Sequence, residues 1–528
     1  MLRRRSLSFV LASAGTVLLV LAAIGSASAG RGSPASPKLV SDVKTGSDTL
    51  GSLTPATPDP IQDYVQPDTE IEPSVAVNPA NPKNVVTVYQ EGRIADGGDA
   101  TNGFATSTDG GKTWKTGEIP GLTTYPGQGG VFERASDAVV AFGPNNIVYA
   151  NSLVFDFNKN DGLRSGIAVN VSKDGGLHWG PPVLLQDDEL GGLNDKNWIV
   201  VDSSDAPGHH KGRVYVVWDR IAPILYDYCD HDCDRLSNWL PDFQTIPGLV
   251  FAGQGVGAYP VVMKNGGLGI VMNTIAGGVP VPSGPDELDA QANEQVFMAA
   301  PAAGTTPYPA PLAFTPPVDI ASNQSTGQPA QRASEGLPAA AVDPVSGTIY
   351  SVWDDGRYRS DGTNDAVMSR SFDNGVTWTA PQRINPGPTT DHVDHYGVTV
   401  AVGTDGAVHV AYRTRDESGQ GPLYAPAIDT YYQRSLDGGS TWTAPLKVDN
   451  VASNPYYDAF SRDGSFEGDY NELASAGGYT YIARCQGQPA FAGEVAPLVP
   501  NPDGSNTLVL TESGKGHQHQ STWVALVR

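Results

Sequence analysis

The sequence has little charge, and most of that charge is negative. Charged residues make up only 17% of the 528 residues, with 33 Lys and Arg against 57 Asp and Glu, and the formal net charge is −24. So low a charged fraction argues against a coiled coil or a helical bundle, which would be rich in Glu and Lys. Since no run of Lys and Arg follows the N-terminal segment, we exclude nucleic acid as a partner.

Glycine and proline are plentiful by comparison, with 61 Gly and 42 Pro. This balance is typical of many short strands joined by turns, and it favours an all-β fold. A chain of this length would ordinarily hold several domains, but closed all-β folds often exceed the usual domain size. We therefore predict a single domain over residues 61–528.

The first 29 residues resemble an export signal. Three arginines at positions 3–5 precede an apolar stretch that is densest over residues 17–24, and small residues at 27–29 form a cleavage site. The apolar stretch is too short for a membrane anchor, so we predict a secreted, extracellular protein that is cleaved after Ala29 and has no membrane anchor. Residues 30–60 are rich in Ser, Pro, Gly and Thr, and we expect them to form a flexible lead-in.

Only three cysteines are present. Cys229 and Cys233 are close enough to pair locally, and export makes a disulfide possible. His231 and neighbouring acidic residues could instead bind a metal with them, but a second pair of ligands at suitable spacing is missing. We favour a disulfide or a plain loop, and we predict neither a metal nor a cofactor. We expect Cys485 to be a strand residue rather than a nucleophile.

Self-similarity is the strongest signal in the sequence. Four segments share the pattern S-x-D-x-G-x-T-W, with His178 in place of Thr once, and they are Ser107–Trp114, Ser172–Trp179, Ser371–Trp378 and Ser435–Trp442. In such a hairpin turn the Asp carboxylate can accept backbone N–H bonds, and the Gly tolerates a positive φ. We expect each Trp to fold back and pack between neighbouring sheets.

The spacing of these turns predicts a unit of about 65 residues. The Asp positions are 109, 174, 373 and 437, so the gaps are 65, 199 and 64 residues, and the long gap has room for two further units. Seven apolar openings mark the first strands, at Pro73–Val77, Ala138–Phe142, Trp198–Asp202, Tyr259–Met263, Pro338–Val342, Val398–Val402 and Tyr470–Ala474. Units of four strands at this period predict an all-β propeller of seven blades, or of six if one opening lies in an insertion.

The last blade needs a fourth strand. We predict that Ser521–Val527 is its third strand and that the segment near Lys38–Val43 supplies the fourth, which would close the ring. Alternatively, Asp503 and Gly504 are a decayed turn of that same blade. In either case the S-x-D-x-G-x-T-W turns should join the third and fourth strands of their blades.

These turns are Asp boxes, also called BNR repeats. Together with the blade pattern, they make residues 68–528 resemble the sialidase superfamily, in particular secreted bacterial sialidase-like propellers. The resemblance implies a site on the face opposite the boxes, where first strands start and second strands end. First-strand starts there supply Glu70, Glu72, Asp195, Lys196, Glu335, Asp394, His395, Glu467, Asp469 and Tyr470.

The resemblance also implies roles for individual residues. Sialidases use a Tyr nucleophile that a Glu helps to deprotonate, and Gly468–Leu473 resembles the segment that carries this Tyr. Tyr470 is therefore the candidate nucleophile. Glu335 and Glu467 are candidates for its activating Glu, and Asp96 or Asp99 falls in the loop of the acid/base residue. Arginines suited to holding a substrate carboxylate end the second strands, namely Arg93, Arg220, Arg357 and Arg413.

Two functions stay open at this stage. The first is a monomeric, secreted glycoside hydrolase of the exo-α-sialidase type that acts on terminal sugars of glycans. The second is a non-catalytic propeller that binds carbohydrate or protein through the same funnel, and it is favoured by Ile71, which stands where the family has an Arg. The arginines could equally form ion pairs between blades, and His392 and His395 could form a metal or base cluster, although a solvated loop is the interpretation we favour.

Overall fold

Strands dominate the part of the chain that the computed structural model describes. The described residues are 36–47, 50, 65–125, 127–158, 162–188, 192–220, 222–241, 248–274, 294–302, 310–333, 336–419, 426–461, 464–502, 507–511 and 517–528. The predicted export signal and Glu335 lie outside these residues. Pro37–Arg528 forms one compact unit. Within the described residues, no helix is long and apolar enough to cross a membrane.

The strands are numbered here in chain order. Those up to residue 322 are β1 (Leu39–Lys44), β2 (Val65–Val77), β3 (Val85–Ile94), β4 (Asp99–Ser107), β5 (Lys115–Glu118), β6 (Arg134–Phe142), β7 (Val148–Asn158), β8 (Gly162–Ser172), β9 (Val183–Asp188), β10 (Asp195–Val201), β11 (Val214–Asp219), β12 (Ala222–Cys229), β13 (Trp239–Leu240), β14 (Gly248–Val262), β15 (Leu268–Thr274), β16 (Glu294–Ala300) and β17 (Val318–Ser322). The others are β18 (Gln331–Arg332), β19 (Ala339–Val342), β20 (Ile349–Asp355), β21 (Asp365–Ser371), β22 (Gln382–Arg383), β23 (Val393–Val402), β24 (Val408–Asp416), β25 (Ile428–Ser435), β26 (Leu446–Lys447), β27 (Ala459–Ser461), β28 (Gly464–Phe466), β29 (Glu472–Ala476), β30 (Tyr479–Gly487), β31 (Leu498–Pro500), β32 (Leu508–Leu510) and β33 (Gln520–Val527). Short 3₁₀ turns occur at Pro144–Asn146, Leu236–Asn238 and Pro455–Tyr457.

Most strands belong to antiparallel units of four that follow one another along the chain. The units are β2–β5, β6–β9, β10–β13, β14–β17, β19–β22, β23–β26 and finally β29, β30, β33 and β1. The first strands of successive units contact each other, and β29 of the last unit contacts β2 of the first. The prediction of an all-β fold is therefore confirmed.

The last unit combines both ends of the chain. β33 pairs with β30 on one side and with β1 on the other, with Leu39 opposite Val527 and Lys44 opposite Trp523. This confirms the prediction that the segment near residues 38–43 supplies the fourth strand. Asp503 and Gly504, the alternative turn, lie outside the described residues.

Each Asp box joins the third and fourth strands of its unit, as predicted. In the first box, Asp109 Oδ1 accepts the backbone N–H groups of Lys112 and Thr113 at 3.0 Å, and the Thr113 hydroxyl donates to Oδ2 at 2.7 Å. The Ser107 hydroxyl donates to the same carboxylate at 2.9 Å and accepts from Gly111 N–H at 2.8 Å. Backbone and side-chain bonds from Thr113 hold the pKa of Asp109 well below its usual value.

The box tryptophans pack between units, which also confirms the prediction. Trp179 meets Phe104 of the preceding unit edge-on, with ring centroids 5.9 Å apart. Trp378 packs on Phe297 of its preceding unit at 5.5 Å. Such aromatic pairs contribute about 0.5–1.5 kcal/mol beyond the area they bury, so each box stabilises the interface between two units.

An inserted hairpin between the sixth and seventh units lies against the first unit. β27 and β28 form this hairpin, and β18 pairs with β28 in parallel. Gln66 of β2 holds it, because its Nε2 donates to Phe460 O at 2.9 Å and its Oε1 accepts from Phe460 N at 2.6 Å. The hairpin therefore positions the following segment, which includes Tyr470, next to β2.

The cysteines behave as predicted. Cys229 at the end of β12 forms a disulfide with Cys233, so the metal alternative for this pair is wrong. Cys485 is a buried residue of β30. Burial raises the pKa of its thiol to about 12, which makes it a poor nucleophile.

Candidate functional site

Five of the first strands carry a β-bulge at the same place. In β2, β6, β10, β14 and β23, two residues lie opposite one residue of the second strand. The first residue of each pair has a positive φ, and these residues are Glu72 (49°), Asp137 (46°), Lys196 (45°), Gly257 (66°) and Gly397 (59°). Glycine adopts this conformation freely, whereas a residue with a side chain is strained by about 1–3 kcal/mol. Strained residues cluster at functional sites, so the charged bulges mark a candidate site.

Tyr470, the predicted nucleophile, belongs to this site. It lies two residues before β29, and its ring meets Trp198 edge-on with centroids 5.4 Å apart. Its buried hydroxyl forms no hydrogen bond of good geometry with the described residues, and it lies within electrostatic range of Glu72 and Asp137. Burial, together with the nearby Glu72 and Asp137 carboxylates, raises the pKa of Tyr470 well above 10. The phenol is therefore neutral at neutral pH and needs a base before it can attack.

Glu72 is the carboxyl group best placed to titrate near neutral pH. Its Oε1 accepts from Asp469 N at 2.7 Å, and Gln90 Nε2 donates to its Oε2. Burial, and then repulsion from the Asp469 carboxylate, raises the pKa of Glu72 to about 7. A carboxyl group with that pKa can both take up and release a proton at neutral pH.

Asp469 has the opposite electrostatic environment. Its Oδ2 accepts from Arg332 Nη2 at 2.7 Å and also from Lys196 Nζ. Burial opposes ionisation, but the charges of Arg332 and Lys196 prevail and lower the pKa of Asp469 to about 2. Two adjacent carboxyl groups thus have widely separated pKa values, which is the pattern of acid/base sites.

Asp137 completes the cluster as a buried acid. Burial, and then repulsion from Asp195 and Glu72, raises its pKa well above the usual value, while Lys196 acts in the other direction. Burial therefore favours the protonated form of Asp137. The site holds three acids in different electrostatic environments around a single tyrosine.

A narrow cavity adjoins these side chains. It is lined by residues at or just before the first strands of the third to seventh units, including Lys196, Trp198, Tyr259, Asp469 and Tyr470. Its volume is about 40 Å³, which suits a few water molecules and is too small for a sugar ring. Arg332, at the edge of the cluster, keeps 15% of its side chain exposed.

The four predicted clamp arginines lie in separate ion pairs. They pair as Arg93 with Asp99 at 3.6 Å, Arg220 with Asp188 at 2.8 Å, Arg357 with Asp355 at 2.8 Å and Arg413 with Glu467 at 2.6 Å. None of the four is among the described residues that line the cavity beside Tyr470. The ion-pair alternative describes these contacts, and the substrate clamp stays a prediction.

The other predicted catalytic acids lie elsewhere in the described structure. Asp96 pairs with Arg134 at 2.5 Å, and burial raises the pKa of Asp99, which pairs with Arg93, to about 8. Glu467 accepts from the Tyr396 hydroxyl at 3.1 Å as well as from Arg413. The acids that act electrostatically on the Tyr470 hydroxyl are Glu72, Asp137 and Asp469, and the roles of Asp96, Asp99 and Glu467 stay predictions.

Sequence reasoning missed two members of the cluster. Asp137 directly precedes the predicted opening Ala138–Phe142, so the rule that selected Glu72 and Asp469 would have found it. Arg332 lies in β18, between two units, and no repeat or motif marks its position. Of the two histidines considered above, His395 is buried beside Arg359, and His392 is exposed near Asp361.

Comparison with known protein families identifies the repeated turn. The sequence profile of the BNR/Asp-box repeat family matches residues 105–116, which contain the first box. The other three boxes form the same Ser–Asp–Thr or Ser–Asp–His bonds. The chain therefore contains Asp-box repeats. The match confirms the repeat on which the resemblance to the sialidase superfamily rests.

Several solved structures resemble this Asp-box protein. A protein of unknown function from Dyadobacter fermentans has 12% identity and a TM-score of 0.41, over 94% of this chain and 99% of that one. An intramolecular trans-sialidase from Ruminococcus gnavus has 13% identity and a TM-score of 0.42, over 71% and 96%. An α-L-arabinanase from Penicillium chrysogenum has 13% identity and a TM-score of 0.39, over 88% and 95%. A search of the curated proteins finds no match to this sequence.

Proposed function

We propose that this Asp-box protein is a secreted glycoside hydrolase that acts on terminal sugars of glycans. The observation that carries the proposal is the buried cluster around Tyr470, where a neutral phenol lies within electrostatic range of Glu72, with a pKa of about 7, and of Asp137, whose pKa is raised by burial. A Tyr nucleophile assisted by an acidic residue is one established way to cleave a glycosidic bond.

Each residue of the cluster has a role in this proposal. Tyr470 attacks the anomeric carbon while Glu72 takes the phenolic proton, and the neutral Asp137 protonates the departing oxygen. Water then attacks the anomeric carbon and cleaves the glycosyl–tyrosine bond, its proton passes to Asp137, and Glu72 returns the phenolic proton to the departing Tyr470 oxygen. Lys196 and Arg332 keep Asp469 ionised, which places a fixed negative charge beside the positive charge that develops on the sugar.

A closed ring of seven blades would hold this site together. The seven first strands contact one another in sequence, and β29 returns to β2, which supports seven blades over six. In that arrangement the bulges of β2, β6 and β10 surround one axis. The site would then lie at the axis, opposite the Asp boxes.

The replacement Tyr470→Phe tests the catalytic proposal. It removes the nucleophilic oxygen and keeps the ring against Trp198, so turnover should fall by about 100-fold or more while the fold is retained. The measurement is release of a fluorogenic leaving group from a panel of acidic and neutral glycosides, sialosides included.

Tyr431→Phe is the matched control, since it also removes one phenolic oxygen but lies in β25 stacked on Tyr412. It should leave turnover unchanged. Activity retained in Tyr470→Phe would contradict the nucleophile. Saturable glycan binding by the wild-type protein without turnover on any substrate would favour a non-catalytic propeller, the function that Ile71 and the four ion-paired arginines support.

A further inference from the structure

A second cluster of titratable side chains lies where the segment between β30 and β33 meets β2. Glu494, His517 and His519 each offer one ligand atom, and these atoms lie within 4.8 Å of one another. His519 Nε2 is 3.1 Å and His517 Nδ1 is 3.3 Å from Glu494 Oε1. Two imidazole nitrogens therefore converge on a single carboxylate oxygen.

We propose that Glu494, His517 and His519 bind a zinc ion. Zinc takes nitrogen and carboxylate ligands in a tetrahedron with bonds of about 2.0–2.2 Å, and the ligand atoms of such a tetrahedron are about 3.3 Å apart. The two measured separations of 3.1 and 3.3 Å fit this arrangement. The proposal departs from the sequence-based expectation, which assigned no metal to the chain.

Neighbouring groups orient both kinds of ligand. Asp68 of β2 lies against Nδ1 of His519, which holds the imidazole with Nε2 turned towards Glu494. A carboxylate on the second ring nitrogen is the usual support of a zinc-bound histidine. The other oxygen of Glu494 accepts from Ala490 N at 2.6 Å, which leaves Oε1 for the ion.

The ligands differ in exposure. The Glu494 side chain is only 3% exposed, whereas that of His517 is 51% exposed. An ion could therefore enter from solvent and keep a water molecule as its fourth ligand. Bound zinc would fasten the segment before β33 to β2, since Asp68 belongs to β2 and the ligands belong to that segment.

Zinc binding by the full chain, purified without a histidine tag and stripped with a chelator, tests the proposal. Isothermal titration should show one zinc ion per chain with a Kd of about 1 µM or tighter. His517→Ala and His519→Ala should each weaken binding at least about tenfold. Asp68→Ala, which removes only the orienting carboxylate, should weaken it by about 10–100-fold.

His392→Ala is the matched control, because its side chain is 52% exposed and also lies near a carboxylate, that of Asp361. It should leave zinc binding unchanged. X-ray absorption of zinc-loaded wild-type protein needs no variant and should show two imidazole ligands. Three results would overturn the proposal: a shell of oxygen ligands only, no stoichiometric binding, or equal affinity in His517→Ala and wild type. In the last two cases His519 would simply form an ion pair with Asp68 and Glu494.

Discussion

At the scale of single residues, the bulges distinguish residues that the backbone conformation needs from residues that the candidate site needs. Gly257 and Gly397 show that the bulge itself needs only a residue that tolerates a positive φ. The equivalent positions in three other strands hold Glu72, Asp137 and Lys196, whose positive φ strains the backbone. Burial of the two acids is also unfavourable, because it removes their carboxyl groups from water. Because a glycine would serve the fold better, we infer that these charges are kept for function.

Asp137→Gly tests this inference. Glycine relieves the strain of the positive φ and removes a buried carboxyl group, so the free energy of unfolding should rise by about 1 kcal/mol or more. Activity should fall, because the proposed acid is lost. Urea denaturation and the glycoside assay measure the two effects.

Ala138→Gly, at the next position, is the control and should lower the free energy of unfolding by roughly 0.5–1 kcal/mol. A loss of stability in Asp137→Gly would mean that the carboxyl group holds the fold together, and the functional interpretation of the bulge would then fail.

At the scale of elements, β1 is the connection between the two ends of the chain. Besides its pairing with β33, it contributes Asp42, whose two oxygens accept from Arg484 Nη2 of β30 at 2.8 and 2.9 Å. Both side chains are nearly inaccessible, at 1% and 2% exposure. A buried ion pair of this kind leaves an uncompensated charge when one partner is removed.

Asp42→Ala should therefore destabilise the protein by about 3–5 kcal/mol, since it strands the Arg484 guanidinium in a buried position. We also expect β1 to detach, which limited proteolysis would detect as early cleavage within residues 36–47. Val40→Ala changes a neighbouring side chain that is 54% exposed and should have little effect. An unchanged denaturation midpoint in Asp42→Ala would show that β1 does not hold the last unit together.

The elements also show which parts of the fold can be predicted from sequence. The box turns and the pairing of β1 follow from local patterns, because a hairpin turn needs particular residues at fixed offsets and an incomplete unit needs one more strand. The bulges depend on strand register, which a single sequence does not reveal. The sequence allowed ion pairs between the arginines and acids of other blades, but it did not select the pair of Arg413 and Glu467. Tyr470 was predicted through a family resemblance, and Glu72 and Asp469 were predicted as first-strand starts, whereas the place of Asp137 beside them emerged only from the packing of separate units.

At the scale of the whole molecule, the acidity has two parts. Much of the net charge of −24 is spread over exposed carboxylates. A smaller set of acids is buried, and burial raises the pKa of Glu70 and Asp99 to about 8 and of Glu72, Asp394 and Glu472 to about 7. These groups bind protons more tightly in the folded chain than in the unfolded chain, whose carboxyl groups titrate near pH 4.

The stability of the protein should consequently depend on pH in an unusual direction. Between about pH 4.5 and 8 the folded state holds more protons than the unfolded state, so the free energy of unfolding falls as the pH rises. One pKa unit corresponds to about 1.4 kcal/mol, and five buried acids should make the loss of unfolding free energy between pH 5 and 8 at least that large.

Urea denaturation midpoints at pH 5, 6, 7 and 8 measure this loss of stability. Glu472→Gln keeps the shape of the side chain but cannot ionise, so it should reduce the dependence of the midpoint on pH. A midpoint that is constant or rises over this range would show that the buried acids are already ionised at neutral pH, in which case Asp137 could not supply the proton that the proposed reaction requires.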